Sequence, residues 1–214
     1  PSVLRAGTPE LQILAPSGAA GRYLVGTASF GPEFKSPGLT RQVMPVVENE
    51  SIGLACNPLD ADNATAVKNR VALVLRGACT FTTKVKNAQN AGAVGVLVID
   101  NTTAMPPAGL GGADPTITIP SGRIGLADGI KLLEAMTLTP GNRSSTVVAR
   151  LGSNTAQLAG ADVLGRVMLY TPNPRQPGSS VSHWDDSASR NLLMEPAINA
   201  DLTQFVYPPY DLTL

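Results

Sequence analysis

The stretch Val71–Asn101 reads VALVLRGACTFTTKVKNAQNAGAVGVLVIDN and carries the clearest structural signal in the chain. The runs Val71–Leu75 and Val94–Ile99 are apolar without polar alternation, which is typical of strands covered on both faces. Between them, apolar residues recur every three or four positions and predict a helix; they are Phe81, Val85, Ala88 and Ala91. The stretch therefore predicts one βαβ unit with parallel strands and a right-handed crossover.

Capping residues mark both ends of the predicted helix. Thr80 or Thr82 can cap its first turn through the side-chain hydroxyl. Gly92 follows the last apolar residue, where a left-handed C-terminal cap is common. Two further helices are predicted, a weak one over residues 60–67 and another over residues 126–136.

These motifs resemble those of the protease-associated (PA) domain. The matching features include a strand leading into Arg-Gly-x-Cys-x-Phe at residues 76–81, a lysine-rich helix, and Ala-Gly-Ala at residues 91–93. Ile119-Pro120 then precedes a short final helix, and the resemblance covers roughly residues 45–150. It implies an α/β (α+β) fold, in which a β-sandwich or open barrel of short strands surrounds a central βαβ unit with two to three short helices. PA domains are non-catalytic modules of secreted peptidases and sorting receptors, so the resemblance implies an accessory role.

The composition limits the classes of partner. Lys and Arg number 16, as do Asp and Glu, and hydrophobic residues make up 43% of the chain. That hydrophobic content is sufficient for a core. The sequence shows no stripe of basic residues, which argues against nucleic acid as a partner. No apolar run reaches the roughly eighteen residues that a membrane span requires. The chain starts at Pro1 without Met, and we expect it to be part of a longer precursor.

Cys56 and Cys79 are the only cysteines of the chain. They are either two independent small buried residues or a disulfide. Cys56 lies in a turn context and Cys79 just after a strand, and a bridge is easy to form at both places. The resemblance favours the disulfide, since cysteines at similar places in secreted PA domains are often paired. A bridge closing a loop of this size would add about 3 kcal/mol to the unfolding free energy. It would also suit an oxidising compartment, so we expect the protein to be secreted.

The segment Thr102–Pro115 is rich in glycine and proline and predicts a surface loop after a strand's carboxyl end. Open α/β sheets bind ligands at that end. Exposed backbone there could hydrogen-bond an extended peptide. The predicted peptide-binding residues are Asn101, Thr102, Thr103, Gly111, Gly112 and Asp114.

A domain boundary is predicted near residue 172. Residues 166–170 (RVMLY) resemble a strand, and residues 171–180 then contain three prolines, a composition typical of linkers. We therefore assign residues 1–172 to the PA domain with its flanking strands. Residues 173–214 are assigned to a linker and an irregular partial segment of a metallopeptidase catalytic domain.

That last assignment rests on His183, the only histidine of the chain. A lone histidine is more often an ordinary packed or surface residue than a metal ligand. However, Ser-His-Trp at residues 182–184 is followed, eleven residues after the histidine, by Met194 in Leu-Leu-Met-Glu-Pro. This pattern resembles the third zinc ligand and the methionine turn of leishmanolysin-like metzincins. The resemblance implies that His183 binds zinc in the intact enzyme and that Met194 forms the apolar floor below the metal.

The chain lacks the rest of such a site. It contains no HExxH motif and no second histidine, whereas a catalytic zinc needs three protein ligands and a water. We therefore predict that this chain by itself has no catalytic residues, binds no cofactor and is inactive, with zinc expected only in the intact parent.

The sequence supports one preferred function and two alternatives. The preferred function is a non-catalytic module of a secreted zinc metallopeptidase that contacts polypeptide substrate or restricts access to the active site. Its partners would be the polypeptide substrate and the rest of its own catalytic domain. The alternatives are a stand-alone binding module like that of a sorting receptor, and a PA insertion of a subtilisin-like serine peptidase.

Overall fold

The computed structural model describes residues 4, 6–139, 142–162, 164–188 and 194–196. The strands are β1 (Ala6–Ala15), β2 (Gly21–Tyr23), β3 (Gly26–Thr27), β4 (Leu39–Pro45), β5 (Val47–Glu48), β6 (Ser51–Ile52), β7 (Val71–Leu75), β8 (Gly95–Ile99), β9 (Ser121–Ile124), β10 (Met136–Thr139), β11 (Asn142–Ser145) and β12 (Val148–Leu158). The helices are α1 (Ala61–Val67), α2 (Phe81–Asn90) and α3 (Leu126–Leu133).

The chain divides into two compact units. The core unit is Glu10–Gly152, and the terminal unit combines Pro1–Pro9 with Ser153–Leu214. The boundary predicted near residue 172 lies within the terminal unit and stays a prediction.

The predicted βαβ unit is confirmed as β7, α2 and β8. The two strands are parallel, with Val71 opposite Gly95 and Leu75 opposite Ile99. Alternate residues of these strands enter two different apolar clusters, so Leu73 lies in one cluster and Val74 in the other. Burial of both faces explains why the sequence of each strand is a continuous apolar run.

The helix ends follow from local chemistry. The Thr80 hydroxyl accepts a hydrogen bond from the backbone N–H of Thr83 at 3.2 Å and caps α2. The Asp60 carboxylate caps α1 in the same way, through the N–H of Asn63 at 2.8 Å. Gly92 has φ +89°, which suits the left-handed turn after α2. Helix α3 ends at Leu133 and not at Met136, because Met136 begins the hairpin of β10 and β11.

The main sheet is strongly curled. Its eight strands lie in the order β2-β1-β12-β4-β7-β8-β9-β3, so β2 and β3 are its two edges. Only Leu24 and Val25 separate these edges along the chain, and three extended steps span at most about 11 Å. A flat sheet would place its first and eighth strands about 33 Å apart. The sheet must therefore bend round, which gives the open-barrel form of the expected α/β fold.

The two faces of the sheet carry the two main apolar clusters. Helix α3 packs on one face, where a Cβ added to Gly129 would lie 2.2 Å from Cγ2 of Ile99. Helices α1 and α2 contribute Val67 and Val85 to the cluster of the other face. The close approach of α3 to β8 requires glycine at position 129, because any side chain there would clash.

The terminal unit is mostly irregular in the part that the structure describes. The strand predicted over residues 166–170 is wrong, since only two isolated bridges form there: Val167 with Ala161, and Leu169 with Trp184. A small cluster of Leu4, Ala161 and Ala188, with Trp184 packed against it, holds this unit together. Of the apolar residues in this segment, Val167 packs against the cluster, whereas Leu169 is exposed. Residues 189–193 and 197–214 lie outside the described part.

Candidate functional site

The predicted peptide-binding loop begins at Asp100, directly after β8. One carboxylate oxygen of Asp100 accepts the backbone N–H groups of Asn101 at 2.8 Å and Thr102 at 3.2 Å, together with the Thr102 hydroxyl. The same oxygen accepts a hydrogen bond from the Arg76 guanidinium at 2.7 Å. Asp100 thereby fixes the direction in which the loop leaves the sheet.

Arg123 of β9 joins Asp100 to the middle of the loop. Its Nη1 lies 3.4 Å from the second carboxylate oxygen of Asp100. Its Nε donates to the carbonyl of Ala108 at 2.6 Å and its Nη2 to the carbonyl of Gly109 at 3.2 Å. The guanidinium carbon lies 5.5 Å from the centre of the Phe81 ring. One buried arginine therefore holds two parts of the loop that are distant in sequence.

This cluster is nearly closed to solvent. The side chains of Asp100 and Arg123 are 3% and 6% exposed, while that of Arg76 is 36% exposed. Burial raises the pKa of Asp100, but the hydrogen bond from Arg76 and the charge of Arg123 outweigh burial, so the pKa lies below its ordinary value. Asp100 is therefore ionised at neutral pH and serves to organise the loop.

The later half of the loop is attached to β3. Leu110 is buried, donates its N–H to the carbonyl of Thr27 at 3.1 Å, and accepts the N–H of Ser29 at 3.0 Å. The Ser29 hydroxyl donates to the carbonyl of Gly112 at 2.8 Å. A Cβ added to Gly26 would lie 2.2 Å from the carbonyl oxygen of Ala108, so the loop lies directly against β3.

The structure places the six predicted loop residues in two groups. The first group, Asn101 to Thr103, is exposed and follows Asp100. Gly111 and Gly112 are exposed and follow buried Leu110, while half-buried Asp114 accepts the N–H and hydroxyl of Thr116. Asp114 thus closes a local turn. The other five residues are exposed, although Asp100 accepts the N–H groups of Asn101 and Thr102 and the Ser29 hydroxyl donates to the carbonyl of Gly112.

A second polar cluster supports the disulfide that joins Cys56 to Cys79, the pair that the resemblance implied. The fully buried Lys84 donates to the carbonyl of Leu54 at 2.7 Å, and its Nζ lies 3.6 Å from Sγ of Cys56. Glu48 accepts the N–H groups of Leu54 and Ala55, each at 3.0 Å. Burial lowers the pKa of Lys84, and the charge of Glu48 opposes that effect. These groups fix the backbone beside Cys56.

Sequence reasoning missed Lys84 as a buried residue. It follows Phe81 by three positions and precedes Val85 and Ala88, so helical spacing already places it on the apolar stripe of α2. A lysine within such a stripe must direct its ammonium group to an acceptor, and the carbonyl of Leu54 is that acceptor.

Removing the disulfide should destabilise the core unit. We expect the Cys56→Ala/Cys79→Ala double variant to lose about 3 kcal/mol of unfolding free energy, because its unfolded chain regains the freedom of an open loop. Urea denaturation followed by circular dichroism measures this loss. Native protein treated with a reductant should show the same loss, and thiol titration of denatured, unreduced protein should find no free thiol. Equal stabilities of the oxidised protein and the double variant would contradict the expectation.

The tail brings His183 close to Met194 through the backbone. Trp184, the neighbour of His183, donates its N–H to the carbonyl of Met194 at 3.0 Å, and Met194 has φ +72°. His183 is half-buried, and its Nδ1 lies 3.0 Å from the Ser182 hydroxyl. Within the described residues, no three His, Cys, Asp or Glu side chains are grouped as a metal site.

Comparison with known proteins gives one family. A family model described as PA domain matches residues 42–132. Receptor homology region, transmembrane domain- and RING domain-containing protein 1 of Oryza sativa subsp. japonica is 37% identical over 94 residues, which are 39% of this chain and 17% of that protein. Minor extracellular protease Vpr of Bacillus subtilis (strain 168) is 29% identical over 114 residues, which are 52% of this chain and 14% of that protein.

Among solved structures, a zinc aminopeptidase from Bacillus subtilis is similar with a TM-score of 0.49 and 24% identity, over 71% of this chain and 31% of that one. The chain thus spans only a small part of each of these relatives. Of the helices that the structure describes, none has the length and apolar character needed to cross a bilayer.

Proposed function

Because residues 42–132 are a PA domain, we propose that this chain is the non-catalytic accessory module of a secreted zinc metallopeptidase. In this role the loop 101–116 contacts polypeptide substrate, and the tail joins the rest of the catalytic domain. The module steers an extended substrate toward the active site or restricts what reaches it.

Two observations support the association with a secreted peptidase. One relative of this chain is named an extracellular protease, and its similarity covers 52% of the chain. The Cys56–Cys79 disulfide suits an oxidising compartment such as the extracellular space.

The observation that carries the proposed substrate contact is the combination of rigidity and exposure in the loop. Asp100, Arg123 and Leu110 hold it at three places, while Asn101 to Thr103 and Gly111 to Gly112 stay exposed. A peptide that binds a rigid loop does not have to order it, so less binding free energy is lost. Exposed backbone without large side chains allows an extended peptide to approach closely enough for hydrogen bonds.

Blocking the loop should impair cleavage of polypeptides in the intact enzyme. Gly111 has a negative or extended φ and open space around a built Cβ, so Gly111→Trp should fold normally. We expect this variant to lower kcat/KM for reduced, carboxymethylated casein about fivefold or more, because the indole ring covers the backbone that the substrate would contact. A short chromogenic peptide, too short to reach the loop, should be cleaved at the normal rate.

The matched control is Gly111→Ala, which changes the same position by one methyl group and should leave both activities unchanged. Equal kcat/KM values of the Gly111→Trp and wild-type enzymes on casein would show that the loop does not contact substrate. A parallel loss on both substrates would indicate damage to the catalytic domain.

The zinc part of the proposal depends on the tail. This part of the proposal is supported by the backbone hydrogen bond between Trp184 and Met194, which holds the histidine segment beside the methionine. In the intact enzyme, His183 would supply one ligand, and an HExxH helix elsewhere would supply the other two. Zinc there would activate a water for attack on the peptide carbonyl.

A second candidate function is a stand-alone binding module like that of a sorting receptor. It is favoured by the relative named as a receptor homology region protein, which is 37% identical over 94 residues. The casein experiment separates the two candidates, because an intact protein of the receptor type has no peptidase activity to lose.

A further inference from the structure

The two sulfurs of the Cys56–Cys79 disulfide have different surroundings. The ammonium group of Lys84 lies 3.6 Å from Sγ of Cys56, and the side chain of Lys84 is fully buried. Among the residues that the structure describes, no polar side chain is hydrogen-bonded to Sγ of Cys79. Cys79 is half-buried, and both of its neighbours along the chain are exposed. A buried cation therefore lies beside one sulfur of the bridge and not beside the other.

The full charge that contacts Sγ of Cys56 is positive. The carbonyl oxygens of Gly77 and Leu54 also approach this sulfur, at 3.8 Å and 4.0 Å, but they carry only partial charges. Glu48 is the acidic group that acts on Lys84, and its two carboxylate oxygens already accept two backbone N–H groups. Burial lowers the pKa of Lys84, while the charge of Glu48 raises it. Glu48 thus favours the charged form of Lys84, which would stabilise negative charge on the sulfur of Cys56.

Thiol–disulfide exchange distinguishes the two sulfurs of a bridge. An attacking thiolate forms a bond to one sulfur, and the other sulfur leaves with the electron pair of the broken S–S bond. The sulfur that forms the more stable thiolate leaves faster, and a neighbouring lysine stabilises a thiolate. Cys56 is therefore the expected leaving group, and Cys79 is the sulfur that should be attacked.

We propose that Cys79 is a site of thiolation by a small thiol of the glutathione class. The thiolate of the small molecule attacks Sγ of Cys79, the bond between the two cysteines breaks, and Cys56 leaves as a thiolate paired with the ammonium group of Lys84. One disulfide replaces another, so the step needs no oxidant, and the proton of the attacking thiol has gone to solvent beforehand. Because Lys84 stabilises the released thiolate, it also weakens that thiolate as a nucleophile and slows closure of the original bridge.

The position of the mixed disulfide tests this assignment. The 214-residue chain is incubated with reduced glutathione at about neutral pH, and N-ethylmaleimide then blocks every free thiol. Digestion with pepsin in acid prevents further exchange, and mass spectrometry locates the two groups. We expect glutathione on Cys79 and N-ethylmaleimide on Cys56 in most of the molecules that carry one of each.

Lys84→Met is the decisive variant, because methionine keeps an unbranched side chain and removes the charge. The ratio of glutathione on Cys79 to glutathione on Cys56 should fall about threefold or more. This ratio is compared because it does not depend on how fast the bridge opens. The matched control is Lys86→Met on the same helix, since the ammonium group of Lys86 also donates to a carbonyl, that of Thr116 at 3.1 Å. It should leave the ratio unchanged, and circular dichroism checks that both variants are folded.

A second measurement needs no variant and decides the question if Lys84→Met does not fold. Iodoacetamide reacts with thiolates and not with thiols, so the pH of half-maximal alkylation shows where each thiolate forms in the reduced protein. We expect this midpoint to lie about one pH unit lower for Cys56 than for Cys79, because only Cys56 has the ammonium group of Lys84 beside it.

Four outcomes would overturn the assignment. The first is glutathione found mainly on Cys56, and the second is a ratio that Lys84→Met leaves unchanged. The third is an equal alkylation midpoint for the two cysteines of the reduced protein. The fourth is the lack of any mixed disulfide after prolonged incubation, which would show that small thiols do not reach the bridge.

Discussion

Replacing Asp100 by Asn is expected to lower the free energy of unfolding of the core unit by about 3–5 kcal/mol. The substitution keeps an oxygen that can accept the N–H groups of Asn101 and Thr102, but it removes the negative charge that faces two arginines. Arg123 is 6% exposed and would remain a buried cation without its carboxylate. Such an uncompensated buried charge costs far more than the loss of an exposed ion pair.

The measurement is urea denaturation followed by far-ultraviolet circular dichroism. Fluorescence would not report this event directly, because Trp184 is the only tryptophan and belongs to the terminal unit. The matched control is Asp162→Asn, which breaks an ion pair of similar length with Arg166 on an exposed surface. Its effect should be close to the error of the measurement. Equal losses in the two variants would show that burial does not set the contribution of Asp100.

The pH dependence of stability provides an independent test of the same cluster. The pKa of Asp100 is lower in the folded than in the unfolded protein, so its charge stabilises the fold fully above about pH 5. This contribution is lost as the pH falls toward the folded-state pKa. The stability difference between wild-type and Asp100→Asn should therefore shrink as the pH is lowered from 6 to 3. A difference that stays constant over this range would contradict the ionised state of Asp100.

The central βαβ unit was predictable because its signals are local. Each signal is contained within a few residues of sequence. The signals are the continuous apolar runs of the two strands, the three- and four-residue spacing of apolar residues in α2, and Gly92 after the helix. These signals agree with one another, and the structure confirms the resulting elements. The chemistry of the loop depends instead on Asp100 and Arg123, which are 23 positions apart and meet only because β8 and β9 are neighbours.

Other features were missed for reasons of context. The helix predicted to reach Met136 ends at Leu133 because residues 136–139 pair with β11, and a pairing of this kind leaves no helical signature in the sequence. The apolar run at residues 166–170 forms only isolated bridges, and of its residues Val167 packs against the small cluster of the terminal unit.

His183→Ala in the full-length protein is expected to abolish zinc binding and peptidase activity together. The proposed site has three protein ligands, and the substitution leaves two, which is too few for a catalytic zinc. Mass spectrometry of the metal content should show a fall from stoichiometric zinc to background. Activity on a short peptide should fall in proportion, because without zinc no activated water remains.

Trp184 provides the control for folding, because it is adjacent to position 183 and packs against the cluster of Leu4, Ala161 and Ala188. An unchanged emission spectrum in His183→Ala would show that the tail is intact and that the loss concerns the metal. In the 214-residue chain the same substitution should change neither stability nor zinc binding, since one imidazole holds zinc weakly. If full-length His183→Ala keeps its zinc and its activity, the metallopeptidase assignment of the tail is wrong. The match of residues 42–132 to the PA-domain model is independent of that result, because it lies entirely within the core unit.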